Sequence, residues 1–270
     1  MRVLVTNDDG IDAPGLRALA LALDADGHEV LVVAPDRNHS GYGAALGDVG
    51  AGGDGSRLRT ELRKIPGAEH LPSYALEGPP ALCVMAALLG GFGDPPELVA
   101  SGVNPGNNTG RAVLHSGTVG AALTAANFGI SGLAISVAWD RWPDPPHYDA
   151  AAAVAAAGVE WLRTAPRRTV LNVNAPDRPL DELGGTCWAR LAPFGTVRAT
   201  LSPAGDSELE LGLVPTGDEL PPDTDSALVQ AGMVAVTCLT GVTATDEVPV
   251  ARAIDAHLAA RAGAVGAGGS

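Results

Sequence analysis

The chain opens Met1-Arg2-Val3-Leu4-Val5-Thr6-Asn7-Asp8-Asp9-Gly10, and this stretch decides the architecture. Arg2–Thr6 is a short run apolar on both faces, the pattern of a strand buried within a parallel sheet. Asn7-Asp8-Asp9-Gly10 breaks the run as a turn would. From Pro14 to Asp26, Leu16, Leu19, Ala20 and Leu23 recur at helical spacing, with Pro14 suited to a first turn and Gly27 to the end. His28–Ala34 is a second strand of the same kind. A βαβ unit at the start predicts a doubly wound, three-layer α/β fold with a parallel sheet.

The alternation continues outward. Leu98–Ser101, Leu133–Val137, Val170–Val173 and Met233–Leu239 read as further strands. Helices fit at Pro80–Leu89, Gly117–Asn127, Asp149–Arg163 and Val248–Arg261. Gly41–Ser56 and Pro203–Asp225 are rich in Gly, Pro and Asp and read as long excursions that carry function or subunit contacts. The small-residue end, 263–270, reads as a disordered tail. This organisation predicts one α/β domain over 1–262. Its core covers about 1–180, its extension about 181–240 and its last helix about 248–261.

The net charge of −14 disfavours a polymeric nucleic acid or an anionic membrane as partner. A small phosphorylated substrate remains compatible if a cation or backbone dipoles mask the acidic field locally. The three cysteines, Cys83, Cys187 and Cys238, are far apart and lack metal-ligand spacing, as expected of reduced thiols in a cytoplasmic protein. The first apolar run is too short for a signal peptide, and the Ala-rich stretch from Ala150 is too short to span a bilayer.

In open parallel sheets, ligands bind beyond the carboxyl ends of the strands, near the switch in strand order. Asp8 and Asp9 fall at such an end, and two adjacent carboxylates call for a compensating cation. The plain alternative is a capping Asp beside a solvated neighbour. Ser40 lies in the loop after the second strand, where serine is ordinarily a turn residue. Asn104 follows the strand at Leu98 within an Asn- and Gly-rich segment and offers a neutral carbonyl oxygen at the same rim. Asp8, Asp9, Ser40 and Asn104 together form an all-oxygen set, suited to Mg²⁺ or Mn²⁺ rather than zinc. Ser116-Gly117-Thr118 precedes a helical run, where hydroxyls and free N–H groups make an anion site, or simply a Ser/Thr cap.

Taken together, these segments resemble the SurE survival-protein family of 5′/3′-nucleotidases. The resemblance rests on Val3-Leu4-Val5-Thr6-Asn7-Asp8-Asp9-Gly10-Ile11, Val33-Ala34-Pro35-Asp36 with Ser40, Ser101-Gly102-Val103-Asn104, Ser116-Gly117-Thr118-Val119, and Leu171-Asn172-Val173-Asn174-Ala175-Pro176. It covers about residues 1–180 and thins beyond Pro176, where Thr224-Asp225 and Gly232–Leu239 still echo the family. The resemblance implies a Rossmann-like sheet with an extended β-rich, C-terminal region that makes dimers or tetramers. It implies one divalent ion per subunit, Mg²⁺ or Mn²⁺, held by Asp8, Asp9, Ser40 and Asn104. Asn108, Ser116, Gly117 and Thr118 correspond to positions around the bound phosphate. The chain departs from the family pattern at Gly41–Ala45, at Gly78–Cys83 and at Pro105.

The expected activity is metal-assisted hydrolysis of nucleoside 5′- or 3′-monophosphates, with Asp8 or Asp9 orienting the attacking water and His115 a candidate acid for the leaving group. Alternatives are a phosphatase of a specialised metabolite, or a nucleotide- or metal-binding regulator without turnover. A haloacid-dehalogenase scheme would need an acid two positions after its nucleophile, where this chain has Gly10 or Ile11. A dinucleotide fold would want glycines where Asp8 and Asp9 stand, and no Gly-Lys-Ser/Thr phosphate loop follows a strand. A glycosyltransferase would need a second Rossmann-like half that 270 residues do not leave room for.

Overall fold

The computed structural model describes residues 1–47, 49, 57–139, 143–193, 197–205, 208–215, 219–243, 250–255 and 257–258. The chain divides into two units, Met1–Thr240 and Gly241–Ser270.

The first unit opens with β1 (Arg2–Thr6), α1 (Pro14–Ala25) and β2 (Glu29–Pro35). A short antiparallel pair follows, β3 (Thr60–Arg63) with β4 (Ser73–Leu76), then α2 (Pro80–Leu88) and β5 (Leu98–Pro105). Next come α3 (Gly117–Asn127), β6 (Ser131–Val137), α4 (Tyr148–Leu162) and β7 (Val170–Ala175). The extension adds β8 (Thr186–Trp188), β9 (Val197–Pro203), β10 (Leu209–Pro215), α5 (Asp225–Gln230) and β11 (Val234–Leu239).

The main sheet runs β3-β4-β2-β1-β5-β6-β7-β11-β8. From β4 to β7 every neighbouring pair is parallel. Its strands feed two cores by simple alternation. Val3, Val5, Val30, Val32, Leu98 and Ala100 face α1 and α4. Leu4, Leu31, Val33 and Val99 face α2 and α3. Each such Val or Leu contributes about 1.5–3 kcal/mol by leaving water, so the sheet is the rigid platform of the molecule.

The expectation of a parallel sheet holds for this central part and is corrected at its far edge. β11 pairs antiparallel with β7, register Val236↔Val173. Helix crossovers return a strand in the same direction. The connection from β7 to β11 instead wanders through the extension, which leaves the direction of return free. The expected strand ending at Ser101 continues to Pro105 through a register shift. Gly102 permits this: a Cβ there would lie 2.3 Å from the Ile135 carbonyl oxygen.

The excursion expected over 203–225 contains β10 and part of a two-stranded hairpin with β9, Leu211 opposite Leu201. The earlier excursion, 41–56, is described only at 41–47 and at Val49. The extension is tied to the core by Asp225, fully buried, whose carboxylate accepts from Gly110 N (2.8 Å), Ala192 N (3.0 Å) and Ser226 N (2.8 Å). In the second unit, 250–255 and 257–258 are helical, within the expected last helix. The remainder of that helix, and the tail 263–270, lie outside the described residues.

Candidate active site

The strand order reverses at β1, with β2 on one side and β5 on the other. Such switch points open a crevice above the carboxyl ends of the strands. Asp8 and Asp9 leave β1 there, Ser40 lies in the loop that follows β2, Asn104 is in the last residues of β5, and Ser116-Gly117-Thr118 starts α3.

Asn7 turns the chain out of β1. Buried itself, it accepts from Gly10 N at 3.2 Å and donates its Nδ2 to the Gly10 carbonyl at 3.0 Å. This closed turn frees Asp8 and Asp9 from strand alternation. The β2 loop is pinned to both acids. His39 N donates to the Asp8 carbonyl at 2.7 Å, and Asn38 Nδ2 donates to Asp9 Oδ1 at 3.3 Å. Asn38 Oδ1 in turn accepts from the Ser40 amide at 2.8 Å. Sequence reading passed over Asn38, although an Asx residue two positions before Ser40 is a turn signal.

The two acids have unlike surroundings. Asp8 is only 3% exposed, and its Oδ1 accepts from the Thr118 hydroxyl at 2.6 Å. Asp9 keeps a buried Oδ2 for which the described residues provide no partner. Burial, and secondly the charge of Asp8, push its carboxyl up to about 7. An orphaned buried carboxylate oxygen is costly, and a cation beside it would remove the cost. The donor set is all oxygen, so a hard divalent ion fits these residues. Asn104 donates its Nδ2 to the Gly106 carbonyl at 2.6 Å, which leaves its Oδ1 outside that bond.

The phosphate-side residues divide into two groups. Ser116 is the N-cap of α3, its oxygen accepting from Val119 N at 3.1 Å. Helix geometry leaves the first-turn N–H groups of Gly117 and Thr118 without helical partners. Asn108 is held by its neighbours. Its N–H donates to Asn174 Oδ1 (2.8 Å), its Nδ2 to Ser136 (2.8 Å), and its carbonyl accepts from Asn172 (2.8 Å) and Asn174 (3.1 Å). Sequence reading quoted Asn172 and Asn174 without giving them a role. Two amides at i and i+2 in a buried strand share one face, which was the available signal.

The departures from the family pattern have structural occupations. Residues 41–45 lie against α3: Gly43 N donates to the His115 carbonyl at 3.1 Å, and a side chain on Gly120 would run into the Gly43 carbonyl. Pro80 occupies the first position of α2. Pro105 lines a cavity of about 370 Å³ with Asp9, Ile11, Arg37, Trp139 and Tyr148. Burial, and then the charges of Asp9 and Asp177, raise the Tyr148 phenol above its ordinary value. His115 is exposed at the end of the 3₁₀ segment before α3.

Residues 3–195 match the family described as Survival protein SurE. The chain belongs to the SurE family. A 5′/3′-nucleotidase SurE of Serratia proteamaculans is 37% identical over 249 residues, covering 88% of this chain and 90% of that protein. A 5′-nucleotidase SurE of Stenotrophomonas maltophilia is 36% identical over 242 residues, covering 88% of each. The crystal structure of the SurE protein from Aquifex aeolicus superposes with a TM-score of 0.72 at 31% identity, covering 91% of this chain and 95% of that one. The SurE fold thus extends past the matched profile and takes in the extension. Among the described residues no helix is long and apolar enough to cross a membrane.

Proposed function

We propose that this SurE-family chain hydrolyses nucleoside 5′- or 3′-monophosphates to nucleoside and phosphate, using one Mg²⁺ or Mn²⁺ per subunit. The observation that carries the reading is the unpartnered, desolvated Asp9 oxygen beside Asp8, at the rim where Asn104 and the start of α3 also stand. The nucleotidase names of relatives at 36–37% identity point the same way.

Asp8, Asp9, Ser40 and Asn104 would hold the ion, which supplies charge neutralisation for the phosphate. The N–H groups of Gly117 and Thr118, at the positive end of α3, suit two phosphate oxygens. The Ser116 hydroxyl hydrogen remains free to donate while its oxygen caps the helix. Asn108, fixed by Ser136, Asn172 and Asn174, presents a rigid amide to the same crevice. Asp9 lines the cavity, whereas Asp8 is buried with one oxygen committed to Thr118. This favours Asp9 as the acid that would orient the attacking water and take its proton. The cavity walls, Trp139 and Tyr148 among them, offer an apolar seat for the nucleoside as it leaves. His115 is a candidate to protonate the leaving oxygen.

An assembly of two or four chains in the cytoplasm is part of this reading, with the 241–262 segment belonging to the same functional domain. Leu201, Leu209 and Leu211 support it: they share one face of the β9–β10 hairpin and are 62%, 67% and 69% exposed. The free cysteines support a reducing compartment.

A screen of phosphate release from nucleoside monophosphates, sugar phosphates and polyphosphate, with Mn²⁺ and with EDTA, tests the proposal. Release from nucleoside monophosphates that EDTA abolishes is the expected result. Preferential release from another phosphomonoester would move the substrate assignment, and no EDTA-sensitive release at all would overturn it.

A further inference from the structure

Thr118 stands at the start of α3, where the family resemblance places a phosphate contact, yet its side chain points elsewhere. The residue is fully buried, and its hydroxyl lies 2.6 Å from Asp8 Oδ1. We infer that the Thr118 side chain is a positioning group for the metal-binding carboxylate Asp8 and not a phosphate ligand. This rests on the proposed metal site.

A threonine hydroxyl has one hydrogen to donate. A carboxylate and the terminal oxygens of a phosphate monoester are both acceptors, so they compete for that hydrogen. The length of 2.6 Å is that of an O–H···O⁻ bond, about twice as strong as a neutral pair. Asp8 therefore holds the hydrogen, and burial keeps the hydroxyl from a second partner.

Gly117 fixes the other half of the carboxylate. A Cβ at Gly117 would lie 2.7 Å from Asp8 Cβ, 2.9 Å from Oδ2 and 3.1 Å from Cγ. Asp8 thus packs directly on the backbone of α3, with Oδ1 tied by Thr118 and Oδ2 lying over the bare Gly117 Cα. A carboxylate with one oxygen engaged offers the other to an ion, in a direction set before the ion arrives. Partners of this kind, one step removed from a metal, commonly change metal affinity about 10–100-fold when removed. Phosphate recognition at α3 then falls to backbone N–H groups and the Ser116 hydroxyl, which substitution at Thr118 leaves in place.

The test uses the full chain and reads the two ligands separately. Thr118→Val keeps shape and removes the donor, while Thr118→Ser keeps the donor. Mn²⁺ affinity is measured by calorimetry without substrate. Inorganic phosphate is then measured as an inhibitor at saturating Mn²⁺. Thr118→Val is expected to weaken Mn²⁺ about 10–100-fold with the phosphate inhibition constant unchanged, and Thr118→Ser to restore Mn²⁺ binding. Gly117→Ala, with the hydroxyl intact, is a second route to the same Mn²⁺ loss and carries the test if Thr118→Val does not fold. Unchanged Mn²⁺ affinity in Thr118→Val or Gly117→Ala, or a Thr118→Val defect confined to phosphate inhibition, overturns the positioning role alone. A folded wild-type chain that takes up no Mn²⁺ overturns the metal-site reading itself.

Discussion

The two sides of the crevice above β1 treat adjacent aspartates in opposite ways. On the α3 side, Asp8 is buried, packed on Gly117 and bonded to a buried hydroxyl. On the side facing α1 and α4, Asp9 has a long bond to Asn38, a buried orphan oxygen and a carboxyl pushed up to about 7. One acid is settled by the protein and the other is left to be settled by a ligand. A fold that satisfied both would have little use for a cation. A fold that satisfied neither would have to order both as the ion bound.

The sharpest way to break this contrast is Asp9→Asn. The neutral amide removes the charge that the orphan oxygen reserves for the ion. Phosphate release should fall on the order of 10³-fold, since stabilisation at the reacting group is lost. Activity near wild type in Mn²⁺-saturated buffer would refute the assignment of Asp9.

The next effect is in pH. A carboxyl that titrates at about 7 holds a proton below that pH, and the proton competes with the ion. Mn²⁺ affinity should rise about tenfold per pH unit toward 7 and then level off, as expected for one displaced proton. The sign for stability runs the same way. The folded value lies above the ordinary 3.8, so the metal-free fold binds the extra proton and loses stability as pH rises from about 4 to about 7. Melting temperatures with EDTA, compared across that range with those in Mn²⁺, would show the gap widening upward. A constant gap would put Asp9 outside the site.

Smaller effects test the supports on each side. Ser116→Ala removes the α3 cap and should cost about 1 kcal/mol of stability in a denaturant titration. Asn38→Ala removes the exposed 3.3 Å bond to Asp9 and the 2.8 Å bond from the Ser40 amide, and should cost about 1 kcal/mol or less. Its effect on Mn²⁺ affinity should be far below that of Thr118→Val. A larger effect from Asn38 would mean that Asp9 is held as firmly as Asp8.

How much of this was written in the sequence depends on the range of the interaction. The β1-α1-β2 start is local periodicity, and α3 was bounded at Gly117 and Asn127 by its own residues. Asp8, Asp9, Ser40 and Asn104 could be placed at one rim because parallel strands send all their carboxyl ends to the same side. The direction of β11 was hidden, since the long connection from β7 runs through β8, the β9–β10 hairpin and α5 and so leaves the direction of return free. The β9–β10 hairpin was legible but passed over: Val197-Arg198-Ala199-Thr200-Leu201-Ser202 and Leu209-Glu210-Leu211-Gly212-Leu213 alternate apolar and polar residues, which is the strand signal. The partners of Asn108 lie 28, 64 and 66 residues away, the carboxylate of Asp225 reaches Gly110 across 115, and Thr118 meets Asp8 across 110. Such pairings come from packing three layers together, and a pattern read along one strand or helix does not contain them.

The most direct measurement is a crystal of the wild-type chain soaked in Mn²⁺ and recorded at the manganese absorption edge. The account predicts one anomalous peak per chain, shared by Asp8, Asp9 and Asn104, with the Thr118 hydroxyl still on Asp8. An ordered crevice with no peak there, or with the two carboxylates facing away from a common point, would contradict it.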